Sequence, residues 1–345
     1  MRISICIPQY NRCAHLKACI DSLRAQSYRD LEVVVSDDGS TDGSQIEIPK
    51  YLERSGLRYQ YIQQPRNLGY DANLRASLAA GSGDYLFILG NDDALPESDT
   101  LAKVAPLLDQ FRPDLAIGNF CDAPTKTAAR RVIRTRCVDG TPQVALNMFR
   151  ALSCVTGLIF SRESFHRFNT DQYDGSIYVQ MFLGSRIIAS GGRLLTMDMV
   201  TAATGTDVGH GHANSYVDVL WKFRRTISPT TGGLDEVGRV VCEALWPYVA
   251  DSDRLRVTTA VFSQLLLYSY SYWLYDYRSH DEPWAAFNLA LGCIPTRLLK
   301  NTDPRIRAAL VLSPSYIGAT AGLVIPLGVL GLLKGAARNF AMRSR

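Results

Sequence analysis

Leu86-Phe87-Ile88-Leu89-Gly90-Asn91-Asp92-Asp93 is the stretch on which the fold turns. Apolar residues run without a break up to a group of acids, and Ala94-Leu95-Pro96 follow. A short continuous apolar run bounded by turn residues is the pattern of a buried strand. Gly90 and Pro96 bracket the acids, which makes the turn beyond the strand tight. Carboxylates at a strand end are hard oxygen ligands of the kind Mg²⁺ and Mn²⁺ take. By itself Asn-Asp-Asp is equally a solvated turn, so the neighbouring strands have to decide between the two.

Upstream the same design occurs twice. Ile3-Ser4-Ile5-Cys6-Ile7-Pro8 reads as a central strand, and Gln9-Tyr10-Asn11-Arg12 as the loop beyond it. Leu31-Glu32-Val33-Val34-Val35-Ser36 reads as the next strand, ending in Asp37-Asp38-Gly39-Ser40-Thr41-Asp42-Gly43-Ser44. Leu16, Cys19, Ile20 and Leu23 have helical spacing, Leu57 to Ile62 alternates as a strand, and Asp71 to Ala80 reads as a helix with Leu74 and Leu78 on one face. The order β-α-β-(α)-β-α-β predicts an α/β fold with a mostly parallel sheet and helices on its faces. Ligands in such sheets bind beyond the carboxyl ends of the strands, so three polar clusters converge on one edge. Neither G-x-G-x-x-G nor G-x-x-x-x-G-K-[ST] occurs, which argues against an ordinary dinucleotide fold or a P-loop.

Four segments in this order and spacing resemble glycosyltransferase family 2, whose fold is GT-A. They are Ile3 to Asn11, Val35 to Asp42, Arg66-Asn67-Leu68-Gly69, and Gly83-Asp84-Tyr85 to Asp93-x-x-Pro96. The resemblance covers roughly the first 110 residues closely. It implies an inverting transferase that moves a sugar from a nucleotide-sugar to a glycan or lipid-linked acceptor. It places Pro8, Tyr10, Asn11 and Arg12 of the first loop at the donor, with Asp38, Arg66, Asn67, Asn91 and Asp92. An Asp carboxylate can accept the imide N–H of a pyrimidine base, and an Asx-turn is the plainer reading of Asp38.

The family's metal motif is Asp-x-Asp. Here Gly90 stands at the first position, so Asp92 is the expected ligand of Mn²⁺ or Mg²⁺, and Asp93 the expected supporting or catalytic acid. Such a cation would offset the charge that grows on the diphosphate leaving group. A base must also take the proton from the acceptor hydroxyl. The family usually shows Glu-Asp before a helix that ends in Arg and a Gly-rich turn. Arg186 and Gly191-Gly192 fit that ending, but Gln180 falls near the acid position. Asp174 is the nearest acid and the expected base, Asp171 the reserve. His210, after a Gly-rich loop, would complete the metal's ligands if it is more than a surface histidine. The alternative of another class is a non-catalytic nucleotide-sugar-binding or scaffold protein that keeps the fold.

The 345 residues are 47% hydrophobic and 20% charged, with a net charge of +4 too small to argue for nucleic acid. The 8 cysteines lack C-x-x-C pairs and read as reduced, mostly buried thiols of a cytoplasmic protein, and no signal peptide is read at the N-terminus. The expected organisation is a GT-A domain over 1–205, split into a donor half to 110 and an acceptor half from 111. A helical extension over 206–312 and an apolar tail over 313–345 follow. Gly118 to Arg136 reads as a strand pair with a solvated basic face, Cys154 to Ser161 as a buried strand after a helix over 143–152, and 217–226 and 284–299 as helices. Tyr316 to Leu333 has no charged residue, contains Pro326, and leads to Lys334 and Arg338. That pattern predicts a tail embedded in or lying on the cytoplasmic face of the inner membrane.

Overall fold

The structure is a computed structural model that describes residues 1–205, 234–279, 321–322 and 324–343. The chain divides into two compact units, Met1–Ser215 and Tyr216–Arg345.

In the first unit β1 (Ile3–Gln9), β2 (Leu31–Asp37), β3 (Arg58–Gln63) and β4 (Tyr85–Ile88) alternate with α1 (Cys13–Arg24), α2 (Ser44–Ser55) and α3 (Tyr70–Ala80). After α4 (Thr100–Phe111) come β5 (Leu115–Asp122), β6 (Ala128–Ala129), β7 (Arg136–Val138), α5 (Pro142–Met148), β8 (Leu158–Ser161), α6 (Arg162–Phe168), α7 (Val179–Ala189) and β9 (Leu194–Thr204). The sheet order is β3-β2-β1-β4-β8-β5-β9-β7, with β6 paired to β5. The first four strands are mutually parallel, and β8 enters antiparallel to both β4 and β5. The chain goes from β1 outward to β2 and β3, then returns to place β4 on the other side of β1. That reversal between β1 and β4 is where an open α/β sheet forms a crevice.

The apolar runs read from the sequence are the buried strands, covered on both faces as parallel sheets require. Ile3, Ile5, Ile7, Val33, Val35 and Phe87 pack with Leu16, Ile20 and Leu23 of α1 and Leu101, Val104 and Leu108 of α4. Cys6, Val34, Leu86 and Ile88 alternate with these and are also buried, and α3 lies along β1 and β2 with Leu74 and Leu78 inward. Every described cysteine is a free thiol.

Two expectations are corrected. The basic stretch 118–136 is not simply a solvated face. Arg131 is buried, donating to the carbonyls of Gly118 (2.9 Å), Cys154 (2.7 Å) and Thr156 (2.8 Å). A planar guanidinium can satisfy several carbonyls that converge from separate segments, and that repays its desolvation. The buried strand expected over 154–161 is also shorter, only Leu158–Ser161, because the residues before it form the loop that Arg131 gathers.

The second unit holds α8 (Leu234–Leu245), α9 (Asp251–Gln264), a π-helical turn over Leu265–Tyr270, α10 (Ser271–Ser279) and α11 (Leu327–Arg343). Leu265, Leu266, Tyr270 and Leu274 of the aromatic-rich stretch are buried. Among the described residues no helix is long and apolar enough to cross a membrane. Pro326 stands immediately before α11, which therefore starts late in the apolar tail, and Val324 and Leu332 are exposed. The helices expected over 217–226 and 284–299 lie outside the described residues.

Candidate active site

The ends of β1, β2 and β4 meet as expected, and the polar residues there are bonded to one another. Asn11 sits at φ 49, a left-handed conformation Asn tolerates. Its N–H donates to Ser40 Oγ (2.9 Å) and its Oδ1 accepts the Thr41 N–H (2.7 Å), lacing the β1 loop to the β2 loop. Asp42 accepts the N–H of Cys13, the first residue of α1, and so caps that helix from another loop. Tyr10 is left 39% exposed, with a face on which a ring can stack. Pro8 is the penultimate residue of β1 and pairs in register with Ser36.

The two aspartates of the second loop divide the work. Asp37 accepts the Ser40 N–H (2.7 Å) and the Tyr61 hydroxyl, which holds the turn. Asp38 accepts the N–H groups of Leu68 (2.7 Å) and Gly69 (3.1 Å). Burial raises its pKa, and those N–H bonds partly offset the rise. Gly39, at φ +72, lies so close to the 66–69 loop that a Cβ would meet the Arg66 carbonyl carbon at 2.9 Å. Asp38 thus clasps the loop that carries the exposed Arg66 and Asn67.

At the end of β4, Asn91 donates to Gln9 Oε1 (2.7 Å), and Gln9 donates to Ser44 Oγ (2.8 Å). Asp92 is ion-paired with Arg12, whose side chain is only 3% exposed against 22% for Asp92. Asp93 is buried. It accepts the Gly205 N–H (3.2 Å) and bonds the Thr156 side chain, and Thr156 Oγ1 accepts the Gly90 N–H (3.0 Å). Burial first, then the neighbouring Asp92 charge, pushes the Asp93 carboxyl up to about 7. Gly90 has a local reason as well: a Cβ there would stand 2.4 Å from Asp93 Oδ2.

Further along the chain, Asp174 is held by Arg75 of α3 through both carboxylate oxygens, Nε to Oδ1 at 2.8 Å and Nη2 to Oδ2 at 2.5 Å. Asp174 does not reach Asp92 through any described bond. His210 lies outside the described residues. Among the described residues no group of three or more His, Cys, Asp or Glu gathers as a metal cage. Of the two acids at this strand end, Asp92 offers the more exposed carboxylate, since Asp93 is buried. One such oxygen donor fits a Mg²⁺ or Mn²⁺ ion that takes its other ligands from a diphosphate and water.

The sequence did not single out Gln9, Asp71, Arg75, Arg131 or Thr156. Asp71 opens a helix and so reads as an ordinary first-turn acid. Thr156 carries no pattern at all.

Residues 4–168 match the sequence model of "Glycosyl transferase family 2". Just under half of the chain is thus a glycosyl transferase family 2 domain. An abequosyltransferase of Salmonella typhimurium is 39% identical over 111 residues, 32% of this chain and 33% of that protein. A PGL/p-HBAD biosynthesis glycosyltransferase of Mycobacterium tuberculosis is 37% identical over 118 residues, 34% of this chain and 45% of that one. The chain thus matches less than half the length of these curated relatives. Among solved structures, S. aureus TarS 1–349 in complex with UDP-GlcNAc matches with a TM-score of 0.66, at 15% identity over 99% of this chain and 92% of that one. A Pyrobaculum calidifontis mannosyltransferase in complex with GDP-Man and Mn²⁺ matches at a TM-score of 0.53 and 20% identity, over 96% and 86% of the two chains. These two likenesses show the GT-A fold.

Proposed function

We propose that the chain is an inverting glycosyltransferase that moves a sugar from a nucleotide-diphosphate sugar to an envelope glycan or lipid-linked saccharide. The observation that carries this reading is the Arg12–Asp92 pair set beside the Asp38 clasp, at the β1/β4 reversal of a family 2 domain. Tyr10 stacks on the base, and Asp38 holds the Arg66–Gly69 loop against it while keeping lone pairs for the base or ribose. A divalent cation bound at Asp92 would supply Lewis-acid charge to the diphosphate. Arg12 lies within reach of the same oxygens and contributes a fixed positive charge to the leaving group.

For the proton acceptor we favour Asp174. Asp93 is tied into the fold by Gly205 and Thr156, whereas Asp174 keeps 25% exposure. A base oriented by a second charged group, here Arg75, is a common arrangement in catalytic sites. The acceptor hydroxyl would lose its proton to Asp174 as its oxygen attacks the anomeric carbon from the face opposite the diphosphate.

Peripheral membrane contact is part of the reading. The exposed Val324, Val329, Leu332 and Leu333 stand beside a basic segment, which suits the cytoplasmic face of an anionic inner membrane. Co-sedimentation with anionic but not neutral vesicles is the expected result.

The decisive experiment is a panel of UDP-, dTDP-, CDP- and GDP-sugars with Mn²⁺, read by calorimetry and by slow release of nucleotide. One donor class should bind and turn over, and Asp92→Asn should abolish turnover. Absence of binding across the whole panel would overturn the reading.

A further inference from the structure

Ile177 is a β-branched residue with φ +63. That conformation is a true outlier for such a side chain and persists only when its surroundings impose it. The imposing group is Asp71, in the first turn of α3 and 1% exposed. Its Oδ2 accepts the Ile177 N–H at 2.6 Å and its Oδ1 accepts the Val179 N–H at 3.2 Å.

Val179 is the first residue of α7, and its N-cap residue Tyr178 makes no side-chain cap. Asp71 therefore caps α7 from more than a hundred residues away, with a negative charge at the positive end of the helix. One turn along α3, Arg75 grips Asp174 as described and also donates to Asn169 Oδ1 (3.2 Å). The residues just ahead of α3, Leu68 and Gly69, are those whose N–H groups Asp38 accepts. A single helix thus connects the donor clasp to the 174–179 turn. In the first turn of α7, Gln180 is buried with its Oε1 unpaired, an unmet acceptor that packing alone does not explain.

We propose that Asp71 is a positioning residue: it holds Ile177 in its left-handed conformation and so fixes the turn that presents Asp174 to the acceptor. The catalytic part of this inference rests on the function proposed above, while the brace itself does not. Strain at Ile177 is retained because relaxing it would swing Asp174 away from Arg75. Glycine at 177 adopts the same φ at no cost, so it should make the brace dispensable.

The test uses the full chain as wild type, Asp71→Asn, Asp71→Asn/Ile177→Gly and, should Asp71→Asn fold poorly, Arg75→Gln. Hydrogen exchange of the 176–179 amides should rise at least tenfold in Asp71→Asn, with 3–9 and 31–37 unchanged. Nucleotide release from the donor that binds should fall about tenfold or more in kcat, with the donor KM within twofold. The Ile177→Gly background should return most of the lost kcat, and Arg75→Gln should lower kcat with the same unmoved KM. Unchanged exchange at 176–179 in Asp71→Asn overturns the brace. A matching rise in donor KM, or no rescue by glycine, overturns the positioning role. If the wild type turns over no nucleotide-sugar, the proposed function fails instead, and the exchange data still judge the brace.

Discussion

Gly90→Ala is the perturbation that best tests how this site is built. The missing carboxylate of the metal motif looks like a loss in sequence, yet the space it would need is filled. A Cβ at 90 would lie 2.4 Å from Asp93 Oδ2, 3.0 Å from Asp93 Cγ and 3.3 Å from Asp92 Oδ1. Asp93 is poorly able to swing aside, because it holds the Gly205 N–H and the Thr156 side chain in a buried position. Overpacking of this kind costs about 1–3 kcal/mol. Losing a hydrogen bond to a charged group adds about 1.5–3 kcal/mol if Asp93 is displaced. The expected destabilisation is therefore about 1–3 kcal/mol if Asp93 stays in place and roughly 2.5–6 kcal/mol if it is displaced, or on the order of 1–2 M in the urea midpoint. The midpoint should be followed by a probe within the first unit. Gly90→Asp, which restores the family's usual residue, should be worse still, because it adds a third carboxylate beside two. Asp93→Ala in the Gly90→Ala background should remove most of the clash, giving strong non-additivity in the double-mutant cycle. If Gly90→Ala keeps the wild-type midpoint, or the two substitutions simply add, then Asp93 does not determine the glycine and the argument is wrong.

Arg12→Gln removes the cation paired with Asp92, so Mn²⁺ without nucleotide should bind about tenfold or more tightly, read by electron paramagnetic resonance; nucleoside diphosphate should bind more weakly. Burial raises the Asp71 carboxyl to about 6, against an unperturbed value near 4, with the N–H bonds of Ile177 and Val179 opposing and the Asp174 charge reinforcing the rise. The native state thus holds this proton more tightly than the unfolded chain. Its contribution to stability is complete below about pH 4 and is lost as pH rises through about 6. At most roughly 3 kcal/mol of slope is involved, and Asp71→Asn should flatten it in urea titrations across that window. Arg131→Met should cost roughly 2–4 kcal/mol by leaving the Gly118, Cys154 and Thr156 carbonyls unmet, and nucleotide affinity should fall because Thr156 supports Gly90.

The legible part of the site is the part made by strand ends. Asp38, Asn91 and Asp92 are legible as candidates because apolar runs locate strands, and topology then brings their ends together. Asp174 is the acid nearest the position where the family usually shows Glu-Asp, and the structure shows it taken up by Arg75, an ion pair between residues 99 apart in the chain. In sequence Arg131 belongs to a solvated charge run, because burial of one arginine in a basic stretch leaves no periodic trace. Its partners are backbone carbonyls, which every residue has. Asp71 gave no signal for the same reason: it bonds backbone N–H groups.

What the sequence determined by itself is the α/β sheet, the strand ends that converge on one edge, and the acids those ends carry. Period and turn chemistry are local, and the right-handed crossover rule does the rest. What only the tertiary structure decided is which of those acids are available. Asp37 and Asp93 are occupied by the fold, Asp92 is matched to Arg12, and Asp71 braces a turn on the far side of the chain. Such pairings depend on three-dimensional distance between residues that are far apart in sequence. Even Gly90 belongs to this second group, since its lack of a side chain is explained by a neighbour's carboxylate and by nothing in the motif itself.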